Sequence, residues 1–241
     1  KTSSQPIAEF PLDKMSSEVK SLKRKAEALG CTCTDLHKMD KEQSAAMLKV
    51  FNEIASPTKN AERVISMFKA QEGVDGGFPV CLYTHGLQTA TLALRDGRDE
   101  ETVVCGLLHD LGELWSAINH GEIAASLLRP YISPENYWVL RHHEIFQAYI
   151  YQGGFDFKDI EGVRNRFKDS PYFDACALFC GKYDSPAFDP EYDTLPLEHF
   201  VPMILRLFSR RPYEQSGCLH DSVENEAKFS LLDAYPKLES S

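Results

Sequence analysis

YTHGLQTATLALRDGRDEETVVCGLLHDLGE, residues 83–113, reads as two helices joined by a glycine-containing loop and closed by a histidine–aspartate pair. Leu82 to Arg95 has helical spacing, with Leu82, Leu87, Ala90 and Leu94 as core positions, and Gly97 stops it. Asp99 is placed to cap a second helix that buries Val103, Val104, Leu107 and Leu108 and ends in His109-Asp110. His85 therefore stands among core positions of the first helix, and an imidazole beside a carboxylate leaves the end of the second.

The same alternation of caps and apolar stripes runs outward in both directions. Residues 1–13 read as a loose leader, and Lys14 to Leu29 as a helix stopped by Gly30. Asp40 with Gln43 three residues on resembles a capping box. The helix it opens carries Met47, Leu48, Phe51 and Ile54 as its stripe and is closed by Pro57. Ala61 to Gln71 is the next helix, with Val64, Ile65 and Phe68 inward, and EGVDGGFP is a loop. On the far side, Gly121 to Leu128 is helical with Pro130 as its stop. Ser133-Pro134 opens a helix through Trp138, Leu140, His143 and Phe146 to Tyr151, which Gly153-Gly154 ends. Tyr172 to Tyr183 and Pro196 to Phe208 complete the set. No segment alternates with period two, so the chain is expected to be all-α, a single helical bundle with extra N-terminal helices.

Hung on these helices is an ordered string of metal-ligand types: His85, His109-Asp110, His120, His143 and Asp184. Each member has an ordinary reading when taken alone. A core histidine is usually just hydrogen-bonded, His120 can cap a helix, and only one of His142 and His143 can face inward. Asp184 is the odd one, because a carboxylate at a helix C-terminus meets the negative end of the dipole. Four imidazoles and two carboxylates suit two ions of iron, manganese or zinc, with one carboxylate free to bridge.

Composition narrows the partners. The chain has 241 residues, 43% of them hydrophobic, enough for one domain with a real core. Its net charge of −10 argues against nucleic acid or an anionic membrane as partner. The short basic runs KSLKRK (residues 20–25) and Arg210-Arg211 read as solvated surface. No apolar run reaches the length of a membrane span. The first residues lack the apolar core of a secretory signal and begin without methionine, so a processed start is expected. Seven cysteines match no disulfide framework, and most lie in apolar runs, as expected of free thiols in the cytoplasm.

The order H…HD…H…H…D resembles the HD-domain superfamily in its two-metal form. More narrowly it resembles the mixed-valent diiron oxygenases of that superfamily, the group of inositol oxygenase and the oxygenases that cleave 1-hydroxy-2-aminoethylphosphonates. LRHHEIFQAYIYQGG is similar to their fourth-ligand helix, and CGKYDSPAFD to the segment that holds the last aspartate. The resemblance covers residues 76 to 208. It implies an HD-type metal-binding domain at 76–211, an N-terminal helical extension at 1–75 packed on it, and a C-terminal tail at 212–241.

Carried over position by position, the resemblance implies that His85, His109 and Asp184 bind one iron, that His120 and His143 bind the other, and that Asp110 bridges them. The cofactor would be two iron ions, Fe2+ and Fe3+, with O2 as co-substrate. The reaction would oxidise a small hydroxylated substrate through a superoxide-level intermediate, with C–C or C–P cleavage. Asp110 and Glu113 become the candidate catalytic residues, and Glu113, Arg141, Gln147 and Lys182 the candidate substrate contacts. Here the chain departs from its relatives. Glu113 stands where inositol oxygenase has a lysine and the phosphonate enzymes a histidine, and Gln147 replaces a lysine. A carboxylate at 113 favours a hydroxyl or a cationic amine over a phosphonate. The alternative is a metal-dependent phosphohydrolase. Near the ligands in sequence the chain offers Arg129, Arg141, Lys182 and few others to meet phosphate charge. A metal-free regulatory module would lack ligands, and all six are present.

Overall fold

The two helices of the opening stretch form where their caps place them. In a computed structural model, which describes residues 20–21, 23–30, 32–151 and 159–213, the first spans Leu82–Arg95 and the second Glu100–Leu108. Asp99 accepts from the Thr102 amide at 3.0 Å, and Gly97 takes φ +77°, a conformation that side chains with a Cβ resist. In chain order the helices are α1 (Lys41–Ile54), α2 (Pro57–Lys69), α3 (Leu82–Arg95), α4 (Glu100–Leu108), α5 (His120–Leu128), α6 (Pro134–Ile150), α7 (Ile160–Asn165), α8 (Phe173–Phe179) and α9 (Leu197–Phe208). A 3-10 turn, Leu36–Lys38, precedes α1, and α8 continues into a π-helical turn, Cys180–Asp184. The chain is all-α: no strand occurs among the described residues. None of the described helices is long and apolar enough to cross a membrane.

The core lies between packed helix pairs. α3 packs on α4, α5 on α6, and α6 on α8, while α9 closes the far side against α2 and α4. Phe68, Leu107, Leu108, Leu128, Ile132, Leu140, Phe146, Phe200 and Phe208 are wholly enclosed there. Each such side chain contributes about 1.5–3 kcal/mol by leaving water. Cys105, Cys176 and Cys180 are buried free thiols.

A polar knot fastens the start of α4 to the start of α6. Glu101 is buried and accepts from the Ser133 amide at 2.7 Å, from Asn136 Nδ2 at 2.8 Å, and from Arg210. Burial pushes its carboxyl upward, but these donors outweigh that and hold it below the usual carboxylate value. A depressed carboxyl stabilises the fold fully above its unfolded pKa and loses that contribution as pH falls through the folded value. Glu101→Gln is expected to cost about 2 kcal/mol at neutral pH. Its stability in urea should also fall less steeply than the wild type's below about pH 4.5. Parallel pH–stability curves for the two proteins would dismiss this role.

Several expectations need correction. Pro57 does not close α1; it opens α2 at the first helical position, where its missing N–H costs nothing. The enclosed side of α1 is Ala46 and Val50, while Met47 and Phe51 are about 40% exposed. Asp40 does cap α1, accepting from the Gln43 amide at 2.8 Å. The short helix α7 was not anticipated. Asp184 does not follow the end of a helix but is the last residue of the π-turn, marked by the bond from the Ser185 amide to the Cys180 carbonyl at 2.9 Å. Of the expected Lys14–Leu29 helix, residues 20–21 and 23–28 are helical; residues 14–19 and 22, the leader, Gly153-Gly154 and the tail beyond 213 lie outside the described residues.

Candidate metal centre

Five elements each deliver one part of the cluster. His85 comes from the first turn of α3, His109-Asp110 from the end of α4, His120 from the start of α5, His143 from the middle of α6 and Asp184 from the π-turn. Glycine lets two of these elements close on each other. At Gly121, beside His120, a Cβ would lie 2.6 Å from the Leu140 carbonyl and 3.0 Å from His143 Cε1. Only a bare Cα allows α5 to approach α6 this closely, which brings the two histidines together. From the N-terminal side, buried Gln71 holds the Asp110 peptide, donating to its carbonyl at 2.7 Å.

The six side chains form two adjoining halves. His85 Nε2 and His109 Nε2 are 3.1 Å apart, and Asp110 Oδ2 lies 3.4 and 3.2 Å from them. Asp184 Oδ1 completes this half at 3.2 and 3.5 Å. In the other half His120 Nε2 and His143 Nε2 are 3.0 Å apart, with Asp110 Oδ1 at 3.1 and 3.3 Å. Asp110 thus turns one oxygen to each imidazole pair.

Every imidazole is oriented by its other nitrogen. Nδ1 of His85 meets the Ala187 carbonyl at 3.0 Å, His109 that of Gly106 at 2.8 Å, His120 that of Ala117 at 3.0 Å and His143 that of Leu140 at 2.7 Å. A carbonyl only accepts, so each Nδ1 carries hydrogen and each neutral ring turns its Nε2 lone pair inward. Two lone pairs facing each other across about 3 Å repel unless a cation stands between them. Asp184 Oδ2 is buried with no partner, a second sign of missing positive charge. Three overlapping groups of these residues can hold a metal ion: His85, His109 and Asp110; His109, His143 and Asp184; Asp110, His120 and His143. Carboxylate oxygens together with imidazoles, each ring braced by a backbone carbonyl, fit zinc, manganese or iron.

Without metal the cluster draws protons instead. Burial pulls His85 toward neutrality, but hydrogen bonds to Asp110 and Asp184 outweigh it and raise its pKa to about 9. His120 reaches about 9 against its own burial, through Asp110. Asp110 and Asp184 resist burial and stay well below the usual carboxylate range beside these imidazoles. Metal cations in the same place would supply that charge without protons.

The remaining candidates are dispersed. Glu113 is half-buried, its Oε1 3.1 Å from His120 Nδ1. Burial raises its pKa, and Asp110 and Glu144 add to the effect against the pull of His120. Gln147 donates to Asp184 Oδ1 at 2.8 Å. Arg141 pairs with Glu122 at 2.8 Å, and Lys182 pairs with Asp96. Neither cation bonds to a residue of the cluster, because each has an acidic partner on its own surface. His142 stays outside: its Nδ1 meets the Trp138 carbonyl at 2.8 Å and its ring stacks on Trp138.

Three contributors escaped sequence reading. Glu144 accepts from the Gly121 amide at 2.7 Å and comes within 3.6 Å of His120 Nδ1. Phe188 stacks on the His85 ring with centroids 4.2 Å apart. Gln71 is the third, and its separation of 39 residues from Asp110 offered no local signal.

Helical elements that converge buried histidines and aspartates in this way define an all-α domain whose centre could hold metal ions. Residues 82–172 match the HD domain, and this stretch of the chain is an HD domain of that superfamily. The match ends before Asp184. No curated protein matches the chain.

Proposed function

We propose that this HD-domain protein is a two-iron oxygenase that uses dioxygen to oxidise a small hydroxylated substrate, with cleavage of a C–C or C–P bond. His85, His109 and Asp184 would hold one ion, His120 and His143 the other, and Asp110 both. Bound iron would supply the redox chemistry of dioxygen and a Lewis-acid position for a substrate hydroxyl. The chain's own part is to hold the ligands rigid, keep the first half dry, and select what reaches the second. His85, His109 and Asp184 are wholly buried, whereas the His120 side chain is 10% exposed beside Glu113 and Glu144. Substrate would approach there.

One observation favours oxidation over phosphate hydrolysis. The second half is flanked by the carboxylates of Glu113 and Glu144, while Arg141 and Lys182 are committed to Glu122 and Asp96. A phosphate anion would meet repulsion at that edge, whereas a neutral hydroxyl or a cationic amine, with Glu113 as its recognition group, would not.

Protein purified aerobically without chelators is expected to carry iron and, after partial reduction, to give the EPR signal of a coupled Fe(II)/Fe(III) pair. Turnover should consume dioxygen in equimolar amount and need no external reductant. Bound manganese or zinc with phosphatase activity, or unchanged turnover under strict anaerobiosis, would assign the protein to the hydrolases instead.

A further inference from the structure

His143 and Gln147 stand one turn apart on the same face of α6. His143 turns its Nε2 toward Asp110 Oδ1 at 3.3 Å, while Gln147 donates to Asp184 Oδ1 at 2.8 Å. A single helix face thus serves both halves of the cluster. The same elements are tied a second time, because the Cys180 thiol donates to the His143 carbonyl at 3.4 Å. The π-turn is anchored from α3 as well: Tyr183 donates its hydroxyl to Asp96 at 2.6 Å. These contacts place Asp184 deep in the cluster, with Oδ1 beside His85 and His109 and Oδ2 unpartnered. Apart from the imidazoles, Gln147 is the one donor bonded to its carboxylate among the described residues.

We infer that Gln147 is a positioning residue for the buried half of the centre: its amide aims Asp184 at the ion shared with His85 and His109 while leaving the carboxylate its full charge. The inference rests on reading the cluster as a two-metal site. A lysine in this place would form an ion pair with Asp184 and compete with the metal for the same charge. An amide fixes direction without that competition. A supporting hydrogen bond of this kind governs metal affinity by about 10–100-fold.

The test uses zinc, which is redox-silent, so that its outcome does not depend on iron. The chelator-stripped full chain is titrated with Zn2+ against a chromophoric chelator, and the metal-free proteins are compared by circular dichroism and melting. Wild type is expected to bind two ions. Gln147→Leu and the isosteric Gln147→Glu should each weaken one ion at least about tenfold and leave the other unchanged. Asp184→Ala should weaken the same step, and adding Gln147→Leu to it should cost nothing further, since the two changes remove one interaction. A glutamine needed only for packing would be replaced by glutamate without loss at either step, and that result overturns the inference. So would equal weakening of both ions, or additive losses in the double variant. Failure of the wild type to bind two zinc ions would instead overturn the two-metal reading itself.

Discussion

Asp110→Ala is expected to empty both halves of the centre, although it removes one side chain. Asp110 gives Oδ1 to His120 and His143 and Oδ2 to His85 and His109, and no other carboxylate among the described residues is shared in this way. Its loss leaves the first half with His85, His109 and Asp184 alone and strips the second of the one carboxylate that faces both of its Nε2 atoms among the described residues. Affinity should fall by more than the roughly 10–100-fold that a lost supporting bond costs. Asp184→Ala should release only the ion beside His85 and His109. His142→Ala should retain both, because His142 is turned to Trp138. Metal content per chain, measured by atomic emission, checks all three. Two ions retained by Asp110→Ala would refute the bridging assignment.

Gly112→Ala should produce the largest structural loss. A Cβ there would fall 2.3 Å from the His120 carbonyl oxygen, 2.6 Å from its Cα and 2.8 Å from its carbonyl carbon. These are backbone atoms at the start of α5, so no side-chain rotation relieves the contact. Forcing extra volume into such a place costs about 1–3 kcal/mol and sometimes more. The displaced element is also the one that carries His120. The variant should therefore melt at lower temperature and lose the ion of His120 and His143 ahead of the other. A wild-type melting point with both ions in place would show that this turn relaxes freely.

Much of this architecture was legible from local chemistry. Asp40, Asp99 and Ser133 each cap the helix expected of them, because a cap is a contact between residues three apart. The six members of the ligand string converge for a different reason. Their order along the chain carried the signal, and no single member would have sufficed. What the sequence concealed is non-local or ambiguous. Proline ends one helix and begins another with equal ease, so Pro57 alone does not tell the close of α1 from the start of α2. Apolar periodicity in α1 could not reveal that Ala46 and Val50, rather than Met47 and Phe51, are enclosed. The partners of Arg141, Lys182 and Gln147 lie 19, 86 and 37 residues away, beyond any periodic pattern.

The π-turn at Cys180–Asp184 has a consequence for how such a centre arises and disappears. It holds one residue more than an α-helical turn would need, and each residue in a helix swings the following side chains by about 100°. Deleting a single codon within this turn would let an ordinary helix run on. The carboxylate of Asp184 would then rotate off the cluster, while the histidines, which sit on other elements, kept their places. The reverse step, one inserted codon, would bring a carboxylate to an existing set of imidazoles. The fourth arm of the buried half is therefore separable, in descent, from the HD domain that it completes.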